Sequence, residues 1–216
     1  WIKKNNIDAA YDKKKINEDD IKDIITEVKN GKIDGINVTV PFKKSVIPFL
    51  DKLTPIADEA QSVNTIYKKN NEVIGHNTDA GGFELALRHI NYDVKNKKIF
   101  ILGAGGVVSS IILALKKMEA FKIILSNRTK QKAEDLKKIY SDLEIIDWGQ
   151  ITDFDMIINA TSLGLKNNDQ IQLDLSKVGT GKLFYDVIYN PIKTNFLLEG
   201  EKKGNQTENG KMMFIY

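Results

Sequence analysis

Along the first part of the chain the apolar positions change their spacing from one stretch to the next. In "EDDIKDIITEVKN" (18–30), Ile21, Ile24, Ile25 and Val28 recur at steps of three and four behind an acidic start, and Gly31 follows the last turn. That spacing predicts an amphipathic helix with a glycine stop. In "GINVTVPFKKS" (35–45) the step falls to two. Ile36, Val38 and Val40 alternate with Asn37 and Thr39, the pattern of a half-buried strand that Pro41 ends. Two lysines follow at once, and a strand that ends in proline needs no lysine to be stable. "IDAAYDKK" (7–14) reads as a short strand and "KKSVIPFLDKL" (43–53) as a helix broken by Pro48. "SVNTIYKKNNEVIGHNT" (62–78) reads as two short strands about a turn, and "DAGGFELALRHI" (79–90) as a helix.

"NYDVKNKK" (91–98) is polar and linker-like, and the rhythm changes after it. "KKIFILGAGG" (97–106) is a continuous apolar run ending in a glycine turn, and "VVSSIILALKKM" (107–118) is helical. "FKIILSNRT" (121–129) and "KQKAEDLKKIY" (130–140) repeat the strand–helix alternation. "FDMIINATSLG" (154–164) and "KLFYDVIY" (182–189) are two further buried strands. Such alternation predicts a parallel, doubly wound sheet, with a domain boundary near residues 88–96.

Composition narrows the class without naming it. A chain of 216 residues with 42% hydrophobic and 28% charged residues can bury a core without staples. It has no cysteine, which rules out disulfides and cysteine metal sites, and no metal is expected. No apolar run reaches the roughly 18 residues of a membrane helix. The net charge is only +3, and the lysines lie scattered among acids with no basic stripe interleaved with aromatics, so nucleic acid is not an expected partner. Trp1 is not a start methionine, and the sequence is expected to be a piece of a longer gene product. Arg88 and Arg128 are the only arginines, which makes each informative.

The glycine turn offers the first chemistry. Gly103, Gly105 and Gly106 stand between a strand and a helix, where glycine permits a tight turn and lets backbone N–H groups approach a pyrophosphate. The third small residue of the dinucleotide fingerprint is replaced by Val108, so the motif alone is also compatible with a plain strand–helix turn. The next strand ends in "SNRTKQK" (126–132), without the acid that would hold the free ribose 2′-OH of NAD. Arg128, Thr129 and Lys132 instead offer a guanidinium, a hydroxyl and an ammonium to a 2′-phosphate, which favours NADP.

Seven stretches then occur in order: "NVTVPFK" (37–43), "SVNT" (62–65), "GHNTDAGGF" (75–83), "GAGG" (103–106), "NRT" (127–129), "NATSLG" (159–164) and "YDVIYNP" (185–191). Together they resemble the shikimate dehydrogenase family over nearly the whole chain. The resemblance implies an N-terminal α/β substrate domain (1–88), a Rossmann-like doubly wound NADP-binding domain (89–200) and a C-terminal segment (201–216) returning to the first, with a cleft between the two domains. It implies that Lys43 and Asp79 are catalytic and that Thr39, Asn64, Asp79 and Tyr189 contact substrate. It places NADP(H) on Gly103, Ala104, Gly105, Gly106, Val107, Asn127, Arg128, Thr129 and Lys132, with Val187 and Gly210 near its other end. The implied reaction is the reversible NADPH-dependent reduction of 3-dehydroshikimate to shikimate, in chorismate and aromatic amino acid biosynthesis. A cytoplasmic enzyme, monomeric or homodimeric, is implied with it. The chain also departs from the family pattern. The family's substrate-binding serines would precede Trp1 and a substrate-binding glutamine would follow Tyr216. Met212 stands where a second glycine is usual and Lys132 where a second arginine is common.

The residue types suit this chemistry independently. Reducing a ketone needs a hydride donor and a proton donor to the developing alkoxide, and a lysine ammonium supplies both charge and proton. A neighbouring carboxylate holds that ammonium in place, while asparagine and threonine bind hydroxyls without adding charge. His76 reads as a turn residue and His89 as helix surface. Two rivals share the fold: a quinate/shikimate dehydrogenase using NAD, and a non-catalytic NADP(H) sensor. An acid at 127–129 would favour the first and loss of Lys43 or Asp79 the second, and neither occurs.

Overall fold

A computed structural model describes residues 2–166 and 168–216. Two sheets organise them. The smaller has four strands, β1 (Gly35–Asn37), β2 (Lys52–Leu53), β3 (Thr65–Lys69) and β4 (Glu72–His76), in the order β1-β3-β4-β2. β3 runs antiparallel to β1 and β4, whereas β2 is parallel to β4. The larger has six parallel strands: β5 (Lys98–Leu102), β6 (Lys122–Ser126), β7 (Glu144–Ile146), β8 (Met156–Asn159), β9 (Leu183–Asp186) and β10 (Gln206–Asn209). Their order is β10-β9-β8-β5-β6-β7, so the winding reverses between β5 and β8, the place where doubly wound sheets bind ligands.

The helix α1 (Ile21–Lys29) forms as its spacing predicts and buries Ile21, Ile24, Ile25 and Val28 in one cluster with Ile66 and Val73 of the small sheet and Val63 just before β3. In the large sheet β5 is covered on both faces, which explains its unbroken apolar run. Ile99 and Ile101 face a cluster with α4 (Val108–Lys117) and α5 (Lys130–Ile139), while Phe100 and Leu102 face Phe184, Phe196 and Leu197, the last two on α6 (Asn195–Lys202). The helix α3 (Asp79–His89) joins the first of these clusters through Phe83 and Leu87. The strand β10, in the segment expected to return to the first domain, instead extends the parallel sheet beside β9, and only α7 (Lys211–Ile215) then packs on α3.

Several local expectations are corrected. Residues 7–17 form no strand and are almost wholly exposed, because Asp and Lys fill the positions that a strand would bury. β1 stops at Asn37, and Val40, which the alternation assigned to the buried face, is 67% exposed. Residues 43–53 form turns and a short 3-10 helix, Ile47–Phe49, rather than an α-helix, and then lead into β2. A short helix unforeseen in the sequence, α2 (Pro55–Ala60), starts with proline in its first turn. His76 is the last residue of β4, with Nδ1 2.9 Å from the Thr54 hydroxyl, rather than a turn residue.

A bifacial cleft with a buried lysine–aspartate pair

Backbone rungs assemble one side of the cleft. The amide of Val38 donates to the Asn64 carbonyl at 2.7 Å, Val63 N to the Lys43 carbonyl at 2.8 Å and Asn64 N to the His76 carbonyl at 3.0 Å. Three segments distant in sequence are thus drawn side by side. Thr78 N donates to Asn64 Oδ1 at 3.0 Å and Asn64 Nδ2 donates to the Thr78 hydroxyl at 2.8 Å, which fixes the amide plane beside the first residue of α3. That residue is Asp79, where the positive end of the helix favours a carboxylate. Lys43 Nζ donates to Asp79 Oδ2 at 2.7 Å, and the two side chains are only 11% and 17% exposed. A short ion pair so nearly buried is held in one geometry, unlike the many exposed lysine pairs of this chain.

The glycine turn forms the opposing side. Gly103 has φ of +107°, and a Cβ there would lie 2.7 Å from the Ala160 carbonyl oxygen, so both conformation and space demand glycine. A Cβ on Gly106 would lie 3.6 Å from Cβ and Cδ of Lys43, which sets the lysine stem directly against the turn. A buried polar network ties the sides together. Asn77 Nδ2 donates to the Ser62 carbonyl and to the Ser110 hydroxyl, both at 2.9 Å, its Oδ1 accepts from Ala80 N, and Ser62 Oγ donates to the Gly106 carbonyl at 3.1 Å.

Between them lies a cleft of about 1050 Å³. Thr39, Gly103, Ala104, Gly105, Gly106 and Val107 line it, as do Asn127, Arg128, Thr129, Lys132, Val187 and Tyr189. Asn127 also clamps two cleft loops, accepting from Ala104 N at 3.0 Å and donating to the Thr129 carbonyl at 2.7 Å. Lys43, Asn64 and Asp79 are not among the cleft's lining residues; Lys43 packs on Gly106 of the lining, Asp79 pairs with Lys43, and Asn64 is held by Thr78 next to Asp79. Gly210 is not among the lining residues either. It is buried, and a Cβ there would lie 2.1 Å from the Val187 carbonyl oxygen. Tyr189 is 44% exposed, with its ring stacked on Phe214 at 4.9 Å between centroids.

The donor set fits a phosphorylated dinucleotide. Among the described residues Arg128 and Lys132 pair with no carboxylate, whereas Lys130, between them, is neutralised by Asp147 at 3.0 Å. Two unpaired cations beside a glycine turn at the winding reversal are what a nicotinamide dinucleotide with a 2′-phosphate would use. The described residues include no cluster of three or more histidines and acids able to hold a metal.

Two buried polar residues at the far end carry no role in the sequence reading. Asp186, fully buried at the end of β9, accepts from Thr194 Oγ1 at 2.6 Å, Asn159 Nδ2 at 3.0 Å and Ile188 N at 2.9 Å. Asn159 Nδ2 also donates to the Leu163 carbonyl, and its Oδ1 accepts from Thr161 N and Oγ1. One buried cluster therefore pins the two loops, 160–164 and 186–191, that carry Thr161 and Tyr189 to the cleft. The signal was a polar residue ending each of two otherwise apolar strands.

Comparison with known proteins converges on the same frame. Residues 1–66 match the family model described as shikimate dehydrogenase substrate binding domain, and residues 84–175 match shikimate / quinate 5-dehydrogenase. The chain is 57% identical to a curated shikimate dehydrogenase (NADP(+)) of Pelagibacter ubique over all of this sequence and 82% of that protein. The crystal structure of shikimate dehydrogenase from Aquifex aeolicus superposes with a TM-score of 0.90 at 35% identity, covering 100% of this chain and 80% of that one. The Thermus thermophilus enzyme, solved with NADP(H) and shikimate, superposes at 0.87 with 26% identity, covering 99% and 80%. On these family models and the 57% identity over its whole length, the chain belongs to the shikimate dehydrogenase family.

Proposed function

We propose that this chain is an NADP-dependent oxidoreductase that interconverts 3-dehydroshikimate and shikimate in the cytoplasm, with Lys43 and Asp79 handling the proton in the cleft. The family membership supports the reaction. The observation that carries the residue assignment is the 2.7 Å pair between Lys43 Nζ and Asp79 Oδ2, nearly buried and packed against the glycine turn. Residues 1–88 serve chiefly to hold substrate and residues 89–200 to hold NADP.

The nicotinamide supplies or takes the hydride when the cofactor is bound. The chain does the rest. Lys43 presents an N–H to the oxygen on the carbon being reduced, stabilises the developing alkoxide and gives up its proton; in the other direction it recovers it. Asp79 accepts a hydrogen bond from that ammonium and keeps it aimed. Asn64, with its amide plane fixed by Thr78, and Thr39 at the cleft wall hold ring hydroxyls. Arg128 and Lys132 take the 2′-phosphate, while Gly105, Gly106 and Val107 bring backbone to the pyrophosphate.

The test is a spectrophotometric assay of NADPH formation from shikimate and NADP⁺, run beside quinate and NAD⁺. Turnover with shikimate and NADP⁺, well above the other three combinations, is expected. Preference for quinate with NAD⁺ would transfer the chain to the rival reading. Binding of NADP⁺ without turnover on either acid would make it a sensor.

A further inference from the structure

The sheet order fixes which way a dinucleotide runs along the cleft. The glycine turn follows β5 at the centre of the sheet, and the unpaired cations Arg128 and Lys132 follow β6. Tyr189 follows β9 on the opposite side of the reversal. With pyrophosphate on the glycine turn and 2′-phosphate on Arg128, the adenosine half points toward β6 and β7 and the nicotinamide half toward β8 and β9.

On the adenosine side the cleft is lined by Trp148, two residues past the end of β7. Among the described residues that line the cleft only Trp148 and Tyr189 are aromatic, and they follow β7 and β9 on opposite sides of the winding reversal. Trp148 is half-buried. It packs on the cluster that holds Phe100, Leu102 and Ile124, and part of it faces the cleft. Its position is tied to the phosphate clamp: Ser126 Oγ donates to the Asp147 carbonyl at 3.2 Å, and Lys130 Nζ reaches Asp147 Oδ1 at 3.0 Å. An indole supported from behind by a rigid core, a few residues from an anion clamp, is a surface suited to a purine.

We propose that Trp148 is the stacking wall of the adenine subsite and positions the adenosine half of the cofactor. This rests on the NADP reading above and adds a residue to it. The indole supplies a flat π-face to the base, sets the distance between base and 2′-phosphate, and contributes binding without touching the reacting atoms. The competing role for Trp148 is a cap on the hydrophobic cluster beneath it, which would affect stability and not adenosine binding.

The experiment uses adenosine 2′,5′-bisphosphate, which carries adenine and the 2′-phosphate but no nicotinamide. Tryptophan emission is followed in a Trp1→Phe background, where Trp148 is the only fluorophore of its kind. Saturating ligand should change Trp148 emission. In Trp148→Leu, affinity for adenosine 2′,5′-bisphosphate and for NADP⁺ should fall about tenfold or more, the scale of one base–aromatic stack. Trp148→Phe should stay within about threefold, because it keeps a π-face. The KM for shikimate and kcat at saturating NADP⁺ should not move, nor should binding of nicotinamide mononucleotide. A folded Trp148→Leu protein that binds adenosine 2′,5′-bisphosphate like its parent overturns the proposal. If that variant does not fold, unchanged Trp148 emission in the parent at saturating ligand overturns it instead. Both results leave NADP⁺ binding intact and the functional reading standing, whereas a parent protein that fails to bind NADP⁺ by calorimetry removes both.

Discussion

Single side chains set the chemistry of this chain, and they were unequally visible in its sequence. The meeting of Lys43 with Asp79 was foreseen only through the motif context, because a lysine after "VPF" taken alone reads as a solvated residue. Asp186 was less legible, because a polar residue ending an apolar strand hints at a role but does not say that it is buried under three donors. The arginine argument gives a direct prediction. Arg128→Ala should weaken NADP⁺ binding by about 1.5–3 kcal/mol and leave NAD⁺ binding nearly unchanged, measured by calorimetry with each cofactor. Equal losses would show that Arg128 does not hold the 2′-phosphate. Asp186 gives a pH prediction. Burial pushes its carboxyl above the usual aspartate range, against the opposing pull of the bonds from Thr194, Asn159 and the Ile188 amide. A folded pKa above the unfolded one lends stability that is full below the ordinary aspartate pKa and is lost as pH rises through the folded value. The unfolding free energy of the parent, minus that of Asp186→Asn, should therefore shrink as pH rises from about 4 through the acidic range. Denaturant titrations of both proteins across that range check it, and a gap that widens with pH would contradict the assignment.

At the scale of elements, periodicity read the long pieces correctly and failed on the short ones. α1, α3, α4 and α5 and the four inner strands of the large sheet, β5, β6, β8 and β9, declare themselves, because one face or both faces are apolar over eight or more residues or over a full buried run, whereas the short, half-exposed edge strands β7 and β10 were not foreseen. The alternation through Val40 was read as burial, yet the chain leaves the sheet at Asn37 and turns Val40 toward the cleft. Two-residue β2 and six-residue α2 are too short for any period to show. Close approaches are equally silent. Gly210, expected by motif near the cofactor, does not line the cleft, and a Cβ there would lie 2.1 Å from the Val187 carbonyl oxygen. Gly210→Ala must push β10 or the Val187–Tyr189 loop aside. A loss of about 1–3 kcal/mol in stability is expected from such overpacking, with a raised KM for NADP⁺ as the loop moves. A protein of unchanged stability and KM would mean that the loop gives way freely.

The whole molecule works as two sheets locked around one cleft. Asn77, Ser62 and Ser110 share buried hydrogen bonds across the junction, α3 contributes Phe83 and Leu87 to the core of the large sheet, and Tyr140 at the end of α5 donates to the Glu59 carbonyl of α2. So continuous a junction should make the two halves unfold together. Differential scanning calorimetry should show one transition, and two well-separated peaks would mean that the junction is weaker than its hydrogen bonds suggest. The same junction brings Lys43 from one side and Asp79 from the head of α3 into contact beside the glycine turn, which is the central claim. The most direct test is a kinetic cycle of Lys43→Ala, Asp79→Asn and the double variant, with shikimate affinity measured separately for each. Lys43→Ala should lower kcat by about 10²–10⁴-fold, with much less change in shikimate binding. The double variant should lose less than the sum of the two single losses in free energy, because residues acting as one unit do not contribute independently. Additive losses, or a Lys43→Ala enzyme with normal kcat and a raised KM, would contradict the account and leave Lys43 as a binding residue only.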